Sequence, residues 1–306
     1  MRDHITHTGA VVSVIIVTII WGVSFPTVQY ALKAGVDVGL FMTLRFALGG
    51  LGLGLICLAA RSRFTWRLLW QSSALGAIDF AAYWLQTDGL RFTTNAKAAF
   101  VTTLYVLITP VMAVVFGDRL HRSELIAVPV AVLGLGGLFW NAGDPLGGWN
   151  RGDWEILACA FLFAAMILAI DRLSRLHDIL SMTFIQISVM AGMSAVLLAA
   201  DPPADLRSSF AVALQPGVLL SLGFNGLIST AFAFWAQSLM QSRLAATESA
   251  ILFSLEPVSA TLLAVSGWLP GIDESLVPIQ WLGCALILCA SFIAASRGPQ
   301  HVIDRV

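Results

Sequence analysis

Apolar positions in this chain neither alternate nor keep to one side of a helix; they run on and are interrupted by short polar stretches. A bilayer core about 30 Å thick is crossed by roughly 20 apolar residues of helix. The runs predict spans at approximately 10–32, 39–60, 68–89, 96–116, 123–140, 154–170, 179–199, 216–240, 246–268 and 276–295. Leu269-Pro270-Gly271-Ile272-Asp273-Glu274 is the turn signal between the last two. The longest links, 141–153 and 200–215, are too short to fold as domains, and no Walker sequence is present.

The pattern repeats. Tyr83-Trp84-Leu85-Gln86-Thr87 and Ala96-Lys97-Ala98-Ala99-Phe100 face Phe234-Trp235-Ala236-Gln237-Ser238 and Thr247-Glu248-Ser249-Ala250-Ile251 at a constant offset of 151. Ile108-Thr109-Pro110 faces Leu255-Glu256-Pro257 at an offset of 147, a slip of about one helical turn. Five spans per half is an odd number, so the second half enters the membrane from the opposite side. The expected fold is an all-α integral membrane protein: ten transmembrane helices as two five-helix inverted-topology repeats, residues 1–150 and 151–306. This is a transporter architecture, with the solute between the halves near the midplane.

Composition agrees with a chain dissolved in lipid. Hydrophobic residues are 58% and charged residues 11%, far from the balance of soluble chains. A net charge of −1 with scattered Lys and Arg excludes a nucleic-acid footprint. Cys57, Cys159, Cys284 and Cys289 all lie in apolar runs without Cys or His partners, so neither a disulfide framework nor a zinc site is expected. The first run leads into Trp21 and Pro26 without a cleavage site and reads as a span rather than a removed signal. Alternate links divide the basic residues unevenly. Arg2, Arg61, Arg63, Arg67, Arg119, Arg122, Arg172, Arg175, Arg243, Arg297 and Arg305 fall on one side, against Lys33, Arg91, Lys97, Arg151 and Arg207 on the other. The richer side is expected to be cytoplasmic, with both termini there.

Deep ionisable groups are the first functional candidates. Asp79 shares a helical face with Tyr83 and Gln86 and is expected to look into the bundle; the structural alternative pairs it with Arg45 or a backbone group. Glu256 precedes Pro257, and Pro110 occupies the matching place in the first half. Prolines free a carbonyl one turn back, so these are candidate hinges, or static kinks. Lys97 and Glu248 match across the halves, as gate charges or as snorkelling ends. Asp118 and Glu124 read as solvated. Trp21 and Phe25, Tyr105, Phe232 and Trp235 are candidate aromatic walls, with Asn225 and Ser229 as polar contacts. The glycines of 50–54 and 134–137 read as close-packing surfaces between helices. All five histidines, His4, His7, His121, His177 and His301, read as tail or loop residues, and no cofactor is implied.

Trp21-Gly22-Val23-Ser24-Phe25-Pro26, Arg45-Phe46, Pro110 and Glu256-Pro257 together resemble the drug/metabolite transporter superfamily, in its EamA-type ten-helix branch. The resemblance covers nearly the whole chain. Many relatives carry Gly-Glu after the fourth and ninth helices, where this chain has Gly117-Asp118 and Gly267-Trp268. Within the superfamily the chain is most similar to amino acid exporters of the YddG kind. That resemblance implies export of amino acids, aromatic ones included, across a bacterial inner membrane. The residues alone leave drug, nucleoside or metabolite efflux open.

Overall fold

The computed structural model describes residues 6–93, 95–138, 140, 149–265 and 277–296. Every regular element among them is helical. They are α1 (His7–Lys33), α2 (Val38–Ala59), α3 (Trp66–Gly89), α4 (Asn95–Thr103), α5 (Tyr105–Val115), α6 (Arg122–Leu138), α7 (Arg151–Leu176), α8 (Ile179–Ala200), α9 (Leu206–Ala213), α10 (Pro216–Gly223), a π-helical stretch (Phe224–Phe232), α11 (Ala233–Gln241), α12 (Ala246–Phe253), α13 (Leu255–Val265) and α14 (Pro278–Ala295). The expected turn at 269–274 lies outside the described residues, as do Arg2, His4, Arg297, His301 and Arg305.

Local chemistry explains where the helices begin. Thr6, Asp37, Thr65, Asp178 and Asp205 each accept a backbone N–H from the first turn that follows. Asn150 and Asp153 form a reciprocal capping box at the head of α7. Between the caps there is little polar face. α1, α2, α7, α8, the continuous run Pro216–Gln241 and α14 are long and apolar enough to cross a bilayer. Large apolar side chains such as Leu55, Val115 and Phe292 stand exposed on the outside. A water-soluble fold would hide them; hydrocarbon solvates them. The protein is a multi-pass membrane protein.

Two predicted spans are each broken in two. α4 and α5 meet at Leu104, and α12 and α13 meet at Ser254. In the second half, Pro257 gives the reason: its ring displaces the carbonyl of Phe253, the last residue of α12. In the first half the break falls a turn and a half before Pro110, which sits inside α5. The eighth span is continuous but not uniformly α-helical, since nine residues form a π-helical stretch that sequence periodicity did not suggest.

Helices before residue 150 pack chiefly on helices after it. α6 lies along α14 and α2 along α8; α3 packs on α7 and α8, while the π-helical stretch packs on α1 and α2. Two close approaches carry the pattern. A Cβ at Gly76 would meet the Gln186 carbonyl at 2.5 Å, and one at Gly226 would meet the Arg45 carbonyl at 3.0 Å. One turn beyond each glycine comes a polar contact between the same helices. Gln186 Nε2 donates to Asp79 Oδ2 after the first, and Arg45 Nε donates to Thr230 Oγ1 (2.9 Å) after the second.

Candidate functional site

A cavity lies between the halves. The space unfilled by protein atoms there is about 660 Å³, open solvent at the mouth included. Its walls come from the C-terminal parts of α1 and α3, from α2, α5 and α7, and from α11, α12 and α13. It therefore reaches toward the membrane face that carries Lys33 and Leu90. The opposite end of α1 is tightly packed, with Ala10, Val14 and Thr18 fully buried.

The inner wall is an aromatic cage. The Trp21 ring stands edge-on to Phe234 at 6.2 Å and tilts against Phe253 at 5.3 Å. Tyr83 lies 5.3 Å from Phe163 and 5.7 Å from Phe234 and Phe46. Trp21 is fixed by its Nε1, which donates to the carbonyl of Ser229 at 3.0 Å. We expect Trp21→Phe to keep most of the packing and lose that bond, lowering stability by about 1 kcal/mol. A thermal unfolding midpoint in detergent unchanged from the parent would contradict this role.

Six predicted residues meet at this cavity: Trp21, Phe25, Tyr83, Gln86, Tyr105 and Glu256. Several others do not line it. Asp79 is fully buried one turn below Tyr83, bonded to Gln186 rather than to Arg45. Asn225 Nδ2 donates to Thr27 Oγ1 and to the Ser221 carbonyl, both at 2.9 Å, and so joins α1 to the π-helical stretch. The Ser229 hydroxyl accepts from Arg45 Nη2 at 3.4 Å. Phe232 points outward, 46% exposed and packed on Trp235. Pro110, buried inside α5, is not among the lining residues, nor are Pro257 and Trp235. The reason is common to the polar three. A 3.6-residue period places a side chain on the inner face, but a neighbouring helix decides whether it meets a cavity or another side chain.

Four further expectations need correction. His7 is not a tail residue; it opens α1, and its Nε2 lies 2.8 Å from Glu248 Oε1. Glu248 is only 2% exposed and does not snorkel. Glu124 is not solvated: it is 1% exposed, and its Oε2 accepts the His121 backbone N–H at 2.7 Å. Arg45, read as a possible tie for Asp79, instead lines the cavity.

The sequence reading did not single out Phe163, Phe234, Gln237 or Phe253. A signal for two of them was present. Phe234 and Gln237 are the offset-151 counterparts of Tyr83 and Gln86, and both pairs line the cavity. Polar groups here include the Tyr105 hydroxyl and the Gln237 Oε1, buried without partners among the described residues. The Glu256 carboxylate likewise has no hydrogen-bond partner among them. An aromatic cage with unused acceptors is chemically suited to a partly apolar solute that brings its own donors.

The comparisons with known proteins agree with a transporter. An uncharacterized transporter of Archaeoglobus fulgidus is 29% identical over 283 residues, which is 92% of this chain and 84% of that protein. A solved crystal structure of 21% identity superposes with a TM-score of 0.71 over 95% of this chain and 99% of its own. At that identity it speaks for the fold alone. The EamA-like transporter family matches residues 8–140 and again residues 150–296. With both halves matched, the chain belongs to the EamA-like transporter family, and it is a membrane transporter.

Proposed function

We propose that this transporter exports amino acids, aromatic and neutral ones included, by alternating access. It would work in a bacterial inner membrane with both termini cytoplasmic. The carrying observation is the cavity itself. Trp21, Tyr83, Phe163 and Phe234 form an apolar cage, and Glu256 offers a carboxylate with no hydrogen-bond partner among the described residues. An α-ammonium suits the carboxylate and a hydrophobic side chain suits the cage. Glu256 takes over the ammonium role that the sequence suggested for Asp79.

Support for two inverted five-helix repeats, divided near residue 150, comes from the exchangeable packing partners. It also comes from the matched Gly76 and Gly226 crossings and from the double family match. Symmetry of that kind makes the outward arrangement of one half the inward arrangement of the other, so two states lie close in energy. The breaks at Leu104 and Ser254, near Pro110 and Pro257, are the bending points of this scheme.

The test is counterflow in liposomes containing the purified protein. Uptake of labelled phenylalanine, tryptophan or leucine is expected. Glu256→Gln keeps the side-chain volume and should lower that uptake about tenfold, the loss of one charge-assisted hydrogen bond. Flux of organic cations or nucleosides with no amino acid flux would remove the substrate assignment.

A further inference from the structure

We propose that Arg45 is the carboxylate-recognising residue of the central cavity, so that the transported solute carries an acid group and the corresponding amine is refused. The proposal rests on the cavity being the transport site and sharpens which solutes it takes.

Arg45 is 4% exposed, in the body of α2, and lines the cavity. A guanidinium keeps its charge under any ordinary condition. Placing it inside a membrane bundle is costly unless an anion meets it. Among the described residues no carboxylate forms an ion pair with it. Asp79, the nearest acid by sequence reasoning, is bonded to Gln186. Glu256 lines the same cavity and is not paired with it either.

The partners Arg45 does have are neutral. Nε donates to Thr230 Oγ1 at 2.9 Å, and Nη2 donates to Ser229 Oγ at 3.4 Å. The guanidinium carbon lies 5.0 Å from the Tyr83 ring centre and 5.5 Å from that of Phe46. Hydroxyls satisfy hydrogen bonds without cancelling charge. The two rings, with the hydroxyls of Ser229, Thr230 and Tyr83 as hydrogen-bond partners, hold the guanidinium plane in one orientation. A planar, pre-oriented guanidinium on a cavity wall, its charge matched by no carboxylate among the described residues, is what a carboxylate fits. An arginine that served only to tie α2 to the π-helical stretch would not need to line a cavity.

A chemical subtraction series tests this. Three solutes share one ring: phenylalanine has both charged groups, 3-phenylpropionate only the acid, and phenethylamine only the amine. Each is added to the purified protein in detergent, and the thermal midpoint is followed against concentration. Phenylalanine and 3-phenylpropionate are expected to stabilise the parent protein, and phenethylamine is not. Arg45→Gln should weaken both acids by at least about tenfold, and Arg45→Lys, which retains the charge, should recover part of the loss. A merely structural arginine would lower the midpoint in both variants without changing the preference for acids.

Stabilisation by the amine equal to that by the acids, no stabilisation by any of the three, or an unchanged acid preference in Arg45→Gln would each overturn the assignment. The measurement on the parent protein decides the matter even if Arg45→Gln does not fold. Binding of the acids without amino acid flux in liposomes would instead overturn the transport reading and leave the Arg45 site standing.

Discussion

Gly283→Ala is expected to prevent recovery of folded protein. A Cβ at Gly283 would collide with the backbone nitrogen of Leu138 and would stand 2.6 Å from the carbonyl of Gly134 and 2.7 Å from the carbonyl carbon of Gly137. All three are main-chain atoms of α6. A rotamer change relieves a clash with a side chain, but here only a shift of the whole helix would help. Reciprocally, a Cβ at Gly134 would meet the Gly283 carbonyl at 2.9 Å and Ile287 Cγ1 at 2.8 Å.

In lipid there is no hydrophobic force to press two helices together. The α6–α14 contact depends on van der Waals fit alone. Overpacking by one methyl typically costs ~1–3 kcal/mol, and with backbone on both sides the upper end or beyond applies. That is a large share of a marginal stability. The readout is yield and monodispersity after detergent extraction, with the thermal midpoint of any protein recovered. Gly136→Ala is the control, since a Cβ there meets nothing within 4 Å. Equal yields from the two variants would contradict the packing account.

A second large effect is expected at the other end of the bundle. The cavity reaches toward the Lys33 face, so its opposite end must be the closed one. There α1 packs on α12, and Ala10, Val14, Ala246 and Ala250 belong to one buried cluster. His7 and Glu248 bridge the two helices at 2.8 Å. If the solute leaves or enters through this end, α1 and α12 must part.

The experiment begins by replacing Cys57, Cys159, Cys284 and Cys289. His7→Cys and Glu248→Cys are then introduced and joined by a reducible bifunctional thiol reagent. Flux should fall to background and return on reduction, whereas each single variant treated alike should keep its flux. The untreated double variant lacks the His7–Glu248 contact and should still transport, because small-residue packing and not the bridge alone closes the seam. Undiminished flux through the linked protein would show that this seam never opens.

What could be read beforehand follows from the range of each interaction. Membrane residence and the span positions depend on solvation of about twenty neighbouring residues at a time, and they are visible in the chain. The offset of 151 in the chain already set Tyr83 and Gln86 against Phe234 and Gln237, and all four line the cavity. Tyr83, Gln86, Trp21 and Phe25 were legible as inner-face residues because helical period is local. The split of the ninth span had a local cause in Pro257, although the break before Pro110 did not advertise its place.

Tertiary structure alone decided which buried polar groups face empty space. Asp79 and Arg45 look alike in the chain, each a lone charge within an apolar run. Gln186 of α8 reaches Asp79 and closes over it. The hydroxyls of Ser229 and Thr230 hold Arg45 from one side and leave it on the cavity. That difference is made by side chains more than a hundred positions away, brought near by helix crossings at Gly76 and Gly226. Hydropathy and periodicity are sums over neighbours along the chain, whereas a cavity is the volume that distant neighbours leave unfilled.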